Sequence, residues 1–155
     1  PYGCALMVEQ EGEIDLDMTG ALEDESWFGS SPSDRERFRK FRHGLAERVA
    51  ERIRRTGFVK VGTDYAVARP KVREVMSLYR QFLADNLRMP HQVYGHIGDA
   101  HLHINAFPSS AAEAQHAKDA MTDLAREIVH LGGTVGAEHG LGKRKAHMQI
   151  GRAHV

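Results

Sequence analysis

"HQVYGHIGDAHLHINAF", residues 91–107, is the stretch whose reading decides the fold. It holds two extended pieces, "HQVYGHIG" and "HLHINAF", joined at Gly98-Asp99, a hairpin-type turn dipeptide. Side chains in a strand point alternately to its two faces. Leu102, Ile104 and Ala106 therefore share an apolar face that packs on helices. His101, His103 and Asn105 share the opposite face, which must meet water, a ligand or a metal. A tight turn at Gly98-Asp99 sets His96 across from the start of the second strand, so that His96 and His103 converge. Two neutral imidazoles are a good beginning for zinc, manganese or ferrous iron. A third ligand has to come from elsewhere. Glu138 is the best candidate, because "GAEHGLGKRK" (136–145) sets it among glycines that allow a close approach.

Two strand histidines taken alone are more often solvated or hydrogen-bonded than ligating. Four histidines within residues 91–103, with Glu138-His139 between glycines downstream, bring a metal or catalytic site to equal standing. His91 reads as structural, and His116 and His147 as solvated helix positions.

Outward from the hairpin, helices and strands alternate. "CALMVE" (4–9) reads as an edge or core strand, with Cys4 a small buried hydrophobe. "GALEDESWFGSSPSD" (20–34) is acidic and then turn-rich, a loop. Ser33 and Asp34 offer an N-cap to a helix running to about Thr56, whose stripe of Phe38, Phe41, Leu45, Val49 and Ile53 faces the core, and Gly57 ends it. "FVKVG" (58–62) is a short strand. A second amphipathic helix begins near Pro70 and is buried through Val72, Val75, Met76, Leu78, Tyr79 and Phe82. A third spans about 110–131 and closes at Gly132-Gly133. "TVGAEHGLG" (134–142) is a connection, and "KRKAHMQ" (143–149) starts a last helix. This order predicts an α+β domain: an antiparallel sheet with helices packed on one face.

The totals bound the function. The 155 residues suit one domain. Lys plus Arg and Asp plus Glu are 21 each, for a formal net charge of zero, which argues against nucleic acid as a partner. There is no apolar run of the roughly 18 residues that a membrane span needs. The first residues, "PYGCALMVEQEG", do not read as a signal peptide but as the middle of a protein, and one cysteine forms no internal disulfide. A cytoplasmic protein is expected, with peripheral attachment at the inner face of the membrane as the variant of that reading.

"GHIGDAHLHIN" (95–105) followed by "GGTVGAEHGLGKRK" (132–145) resembles the paired signature in the C-terminal part of FAD-linked 2-hydroxy-acid dehydrogenases. That group includes D-lactate dehydrogenase, the glycolate oxidase flavin subunit and D-2-hydroxyglutarate dehydrogenase, within the vanillyl-alcohol oxidase/p-cresol methylhydroxylase superfamily. Upstream, "FRHGLAERV" (41–49) and "KVGTDYAV" (60–67) are similar to further family segments, so the resemblance covers about residues 38–148. It implies that His96, His103 and Glu138 bind a divalent metal, zinc first among the choices, and that His139 is the catalytic base. It implies that Arg42 binds the substrate carboxylate, that Lys60 is a second cationic contact, and that Asn105 lies near substrate and flavin, with His101 also on the cofactor side. Ala46 stands where the hydroxyglutarate enzyme has a threonine, and Gly98-Asp99-Ala100-His101 replaces its "GDGN". Both departures favour D-lactate or glycolate as substrate.

The resemblance further implies that residues 1–149 are part of a substrate (cap) domain with its active-site segment. The FAD-binding domain is expected N-terminal to it in the same polypeptide, and a quinone, an electron-transfer flavoprotein or an iron–sulfur domain downstream as electron acceptor. Residues 150–155, "IGRAHV", match the translation of a common sequencing-library adapter, so a non-native tail is expected there, with CAG as the codon of Gln149. Two other readings are open at this point. One is a free-standing zinc hydrolase using His96, His103 and Glu138 with His139 as base. The other is a non-catalytic α+β binding module.

Overall fold

The computed structural model describes residues 4–12, 24 and 26–138. It divides into two compact units, Pro1–Gly44 and Leu45–Val155. Helix α1 (Pro32–Thr56) begins in the first and ends in the second.

In the first unit, the helix cap lies two residues before the expected Ser33. The Ser31 hydroxyl accepts from the Asp34 amide at 3.1 Å and the Asp34 carboxylate accepts from the Ser31 amide at 3.4 Å, with Pro32 in the first helical position. This reciprocal pair is a capping box, and proline fits there because its missing N–H would have no helical partner. Residues 4–10 form no strand and Cys4 is exposed, contrary to the reading of "CALMVE" as a strand with a buried thiol. β-propensity needs a neighbouring ladder to act on, and that run pairs with none among the described residues. The α1 stripe is likewise not core: no α1 residue is buried, and Phe41 is 61% exposed. Amphipathic spacing tells which side of a helix is apolar, not what covers it.

In the second unit, Gly57 closes α1 with φ +74°. Next come β1 (Val61–Gly62) and β2 (Tyr65–Ala66), a proline-started turn at Arg69–Lys71, and α2 (Val72–Asn86). β3 (His91–His96), β4 (His101–Ala106) and α3 (Ala111–His130) follow. The Ser110 hydroxyl caps α3 by accepting from the Glu113 amide, and Gly132 at φ +77° ends it. The fold is α+β, as expected, with a small antiparallel sheet.

β4 is the central strand. β3 pairs along one edge, from His91↔Ala106 to His96↔His101, and β1 and β2 share the other edge in a common register, Gly62↔Asn105 and Ala66↔His101. Between them the ladder is broken at Thr63. Its hydroxyl, not its carbonyl, accepts the Ile104 amide, at 2.9 Å. The freed carbonyl accepts from Nδ1 of His103 at 3.0 Å. Beyond β2, Thr134 bridges Ala66, and Ala137 donates its amide to the Asp64 carbonyl.

α2 and α3 cover one face of this sheet. Val75, Tyr79 and Phe82 from α2 and Met121, Leu124 and Ile128 from α3 join Leu102, Ile104 and Ala106 in the core, where Ile104, Met121 and Ile128 are fully buried. The tyrosines that enter the core bring their hydroxyls to carbonyls, Tyr79 to Leu102 and Tyr65 to Met121. Burial without such partners would cost each hydroxyl a few kcal/mol. The β3–β4 connection is not the tight two-residue turn expected. Residues 97–100 form it, with a 3-10 turn at Ile97–Asp99 and Ala100 left-handed at φ 50°. It still leaves His96 facing His101.

Candidate functional site

Alternation carries three rows of side chains to the face of the sheet opposite the helices. β3 supplies Gln92, Tyr94 and His96, and β4 supplies His101, His103 and Asn105. The interrupted edge supplies Gly62, Asp64 and Ala66. A strand face opposite a hydrophobic core is usually solvated, but here the β4 row and Asp64 are not. His101, His103 and Asn105 are 5%, 5% and 2% exposed, and Asp64 is wholly buried. Buried polar groups have to satisfy one another, and their bonds define the site.

Asp64 is the hub. Its Oδ1 accepts from Nε2 of His101 at 2.9 Å, and its Oδ2 accepts the Glu138 amide at 3.3 Å. Together with the Ala137–Asp64 backbone bond, this holds the segment before His139 against the sheet. Nδ1 of His101 lies 3.5 Å from Oε1 of Glu138, and Nε2 of His96 lies 3.8 Å from the same oxygen. His101 and His103 rings are 4.4 Å apart between centroids, and Tyr94 stacks on His103 at 5.0 Å. Asp64, His101 and His103 form a deep wall, and the half-exposed His96 and Glu138 form the rim.

Among the residues expected at the site, His96 and Glu138 are neighbours, and the register sets His96 and His103 on one face of the sheet. His101 stands beside both His96 and His103. Lys60 donates to the Asn105 amide oxygen at 2.8 Å, so two expected substrate contacts are bonded to each other. Gly62 makes room for them, since a Cβ there would sit 2.6 Å from that oxygen. Arg42 is exposed on α1 in the first unit, whereas the histidines belong to the second. His139 and the expected helix from Lys143 lie outside the described residues. Asp64 was not expected. Its signal was present in "KVGTDYAV", where a lone acid sits inside a strand-like run in phase with Gly62 and Ala66.

The donor set fits a divalent cation. The Thr63 carbonyl accepts a hydrogen bond from His103 Nδ1–H, which leaves Nε2 of the neutral ring as the lone-pair nitrogen, the form a metal needs. Burial pushes the His103 pKa below its usual value, with the neighbouring His101 adding to the effect against the raising influence of the Thr63 carbonyl and the two carboxylates. Ligand-bearing atoms of Asp64, His101 and His103 all lie within 4.8 Å of one another. At the other end of the face, Lys60 and Asn105 present an ammonium and an amide. These suit a carboxylate or a ring carbonyl oxygen.

The lowered pKa sets a sign for stability. The folded state binds fewer protons at His103 than the unfolded chain, so its contribution is whole above the unfolded value of about 6.5 and is lost as pH falls below it. In metal-free protein the urea midpoint should drop between pH 7.5 and 5.5, and His103→Gln should remove part of that drop. Equal slopes in the two proteins would refute the assignment.

A family model described as FAD linked oxidases, C-terminal domain matches residues 2–152. The chain belongs to that family. No curated protein matches it. Membership makes this C-terminal domain part of an FAD-dependent oxidoreductase and implies FAD as that enzyme's cofactor. Among the described residues of the domain, no helix is long and apolar enough to cross a membrane.

Proposed function

We propose that the chain is the substrate- and metal-binding part of an FAD-dependent dehydrogenase. It oxidises a D-2-hydroxy acid, D-lactate or glycolate, to the 2-oxo acid by hydride transfer to flavin. The observation that supports this reading is the gathering of His96, His101, His103, Asp64 and Glu138 on one face of the sheet in an FAD-linked oxidase domain. Membership in that family favours it over a free-standing hydrolase.

In this reading His96, His103 and Glu138 hold a divalent cation, zinc by preference for two imidazoles and a carboxylate. A divalent metal held there would supply a charge that lowers the pKa of the substrate hydroxyl, and bound FAD would supply the hydride acceptor. The chain's own groups do the rest. Arg42 grips the substrate carboxylate with its planar fork. Lys60, steadied by Asn105, supplies a second cationic contact, and Asn105 and His101 lie toward the flavin. His139 accepts the hydroxyl proton on its imidazole. The FAD-binding domain is a further part of the same polypeptide, and the electrons pass on to a quinone, an electron-transfer flavoprotein or an iron–sulfur domain.

The test is anaerobic mixing of the full-length flavoprotein with D-lactate, glycolate, D-2-hydroxyglutarate and L-lactate. Flavin absorbance should bleach with D-lactate or glycolate. Chelation should abolish the bleaching and zinc should restore it. A flavin that stays oxidised with every 2-hydroxy acid defeats the proposal.

A further inference from the structure

We propose that His101 is itself a metal ligand, through Nδ1, and that Asp64 is the carboxylate that orients it. The inference rests on the metal half of the proposed function. It adds His101 to a set that contained only His96, His103 and Glu138.

Asp64 offers both oxygens as acceptors, one to the Glu138 amide and one to Nε2 of His101. Nε2 of His101 therefore carries a proton, and in the neutral ring the lone pair is on Nδ1. Nδ1 lies 3.5 Å from Oε1 of Glu138. A lone pair and a carboxylate oxygen at such a distance favour a positive charge between or beside them. Nε2 of His96 lies 3.8 Å from the same oxygen. Zinc–nitrogen and zinc–oxygen bonds of about 2.0–2.2 Å place ligand atoms on one ion roughly 3–4 Å apart, which is the spacing of these atoms. A ligating histidine commonly donates its second N–H to a carboxylate, which fixes the tautomer and makes the imidazole a better donor. The Asp64–His101 pair has that form. Asp64 itself fits the role of ligand poorly, because using Oδ1 for a metal would give up the His101 bond inside a fully buried site.

The competing account keeps the positive charge on His101 as an imidazolium held between Asp64 and Glu138. The two accounts differ in what a metal titration reads. Apo full-length flavoprotein is titrated with cobalt(II), and the visible ligand-field bands give both affinity and coordination. Folding of each variant is checked by circular dichroism in EDTA. His101→Gln should weaken cobalt binding by about 100-fold or more and shift the bands, as water replaces a nitrogen ligand. Asp64→Asn, which keeps the shape but orients His101 less firmly, should weaken it by roughly 10–100-fold. If His101→Gln fails to fold, the Asp64→Asn arm decides alone.

Wild-type affinity and unchanged bands in the deciding variant would overturn the inference, as would a wild-type protein that takes up no cobalt. Failure of the functional reading shows elsewhere. Cobalt binding that depends on His101, in a protein whose flavin no 2-hydroxy acid bleaches, would sink the substrate assignment and leave this one standing.

Discussion

In the full-length, FAD-loaded protein, His139→Ala should lower kcat for D-lactate by about 10²–10⁴-fold, the usual cost of losing a general base, while metal content stays at the wild-type level. Glu138→Ala should show the opposite pattern, with the metal lost. The separation is expected because residue 138 is anchored independently of the side chain that follows it. Its amide is held by the Asp64 carboxylate and the preceding amide by the Asp64 carbonyl. Removing the imidazole at 139 therefore leaves the carboxylate at 138 where it can still ligate. A cation held as proposed would also favour the neutral imidazole that a base requires. Dye reduction with D-lactate gives the rate, and metal analysis of the same samples gives the occupancy. Near-normal kcat in His139→Ala would place the base elsewhere and end this mechanism.

Gly95→Ala should be the most damaging single-methyl addition in the hairpin. Gly95 has φ +148°, a conformation that side chains rarely adopt, and its ideal Cβ would lie 2.3 Å from the His101 carbonyl oxygen and 2.9 Å from the Leu102 Cα. Both atoms are backbone of the central strand, so no side-chain rotation relieves the clash. Backbone strain of about 1–3 kcal/mol and overpacking of about 1–3 kcal/mol add to roughly 2–6 kcal/mol, against a total stability of about 5–15 kcal/mol for an ordinary domain. The atom pushed aside belongs to His101, so the site should suffer with the fold. Gly98→Ala is the control, since its φ lies outside the left-handed range and its added methyl meets nothing within 4 Å. Urea denaturation should show a large loss for the first and a change within about 1 kcal/mol for the second. Equal midpoints would contradict the pairing of Gly95 with Leu102 across β3 and β4.

The period-two pattern of "HLHINA" was enough to separate an apolar side from a polar one, because alternation is built into the pleat and needs no partner. The same local logic reached α2 and α3, whose apolar spacing, proline start and glycine end are all contained in a few consecutive residues. It failed at "CALMVE" and on the α1 stripe, where the pattern was correct but burial depends on what else is present to cover it. The pairing of His96 with His101 was legible in outline, although Ala100 carries the left-handed turn conformation that a non-glycine residue gives no reason to expect.

What the sequence determined by itself is the inventory of the site: which imidazoles share a strand face, and which carboxylate follows on a glycine-rich segment. The burial of that face, and the part played by Asp64, were decided by tertiary structure alone. Asp64 precedes His101 by 37 positions and Glu138 by 74. No local spacing relates residues so far apart. They meet because the β1–β2 edge breaks at Thr63, whose side chain takes over a ladder hydrogen bond, and because the chain after α3 returns to pair with Ala66. Once these groups are withdrawn from water, each donor needs an acceptor within about 3 Å. That requirement, imposed only by folding, turns a row of histidines into a site.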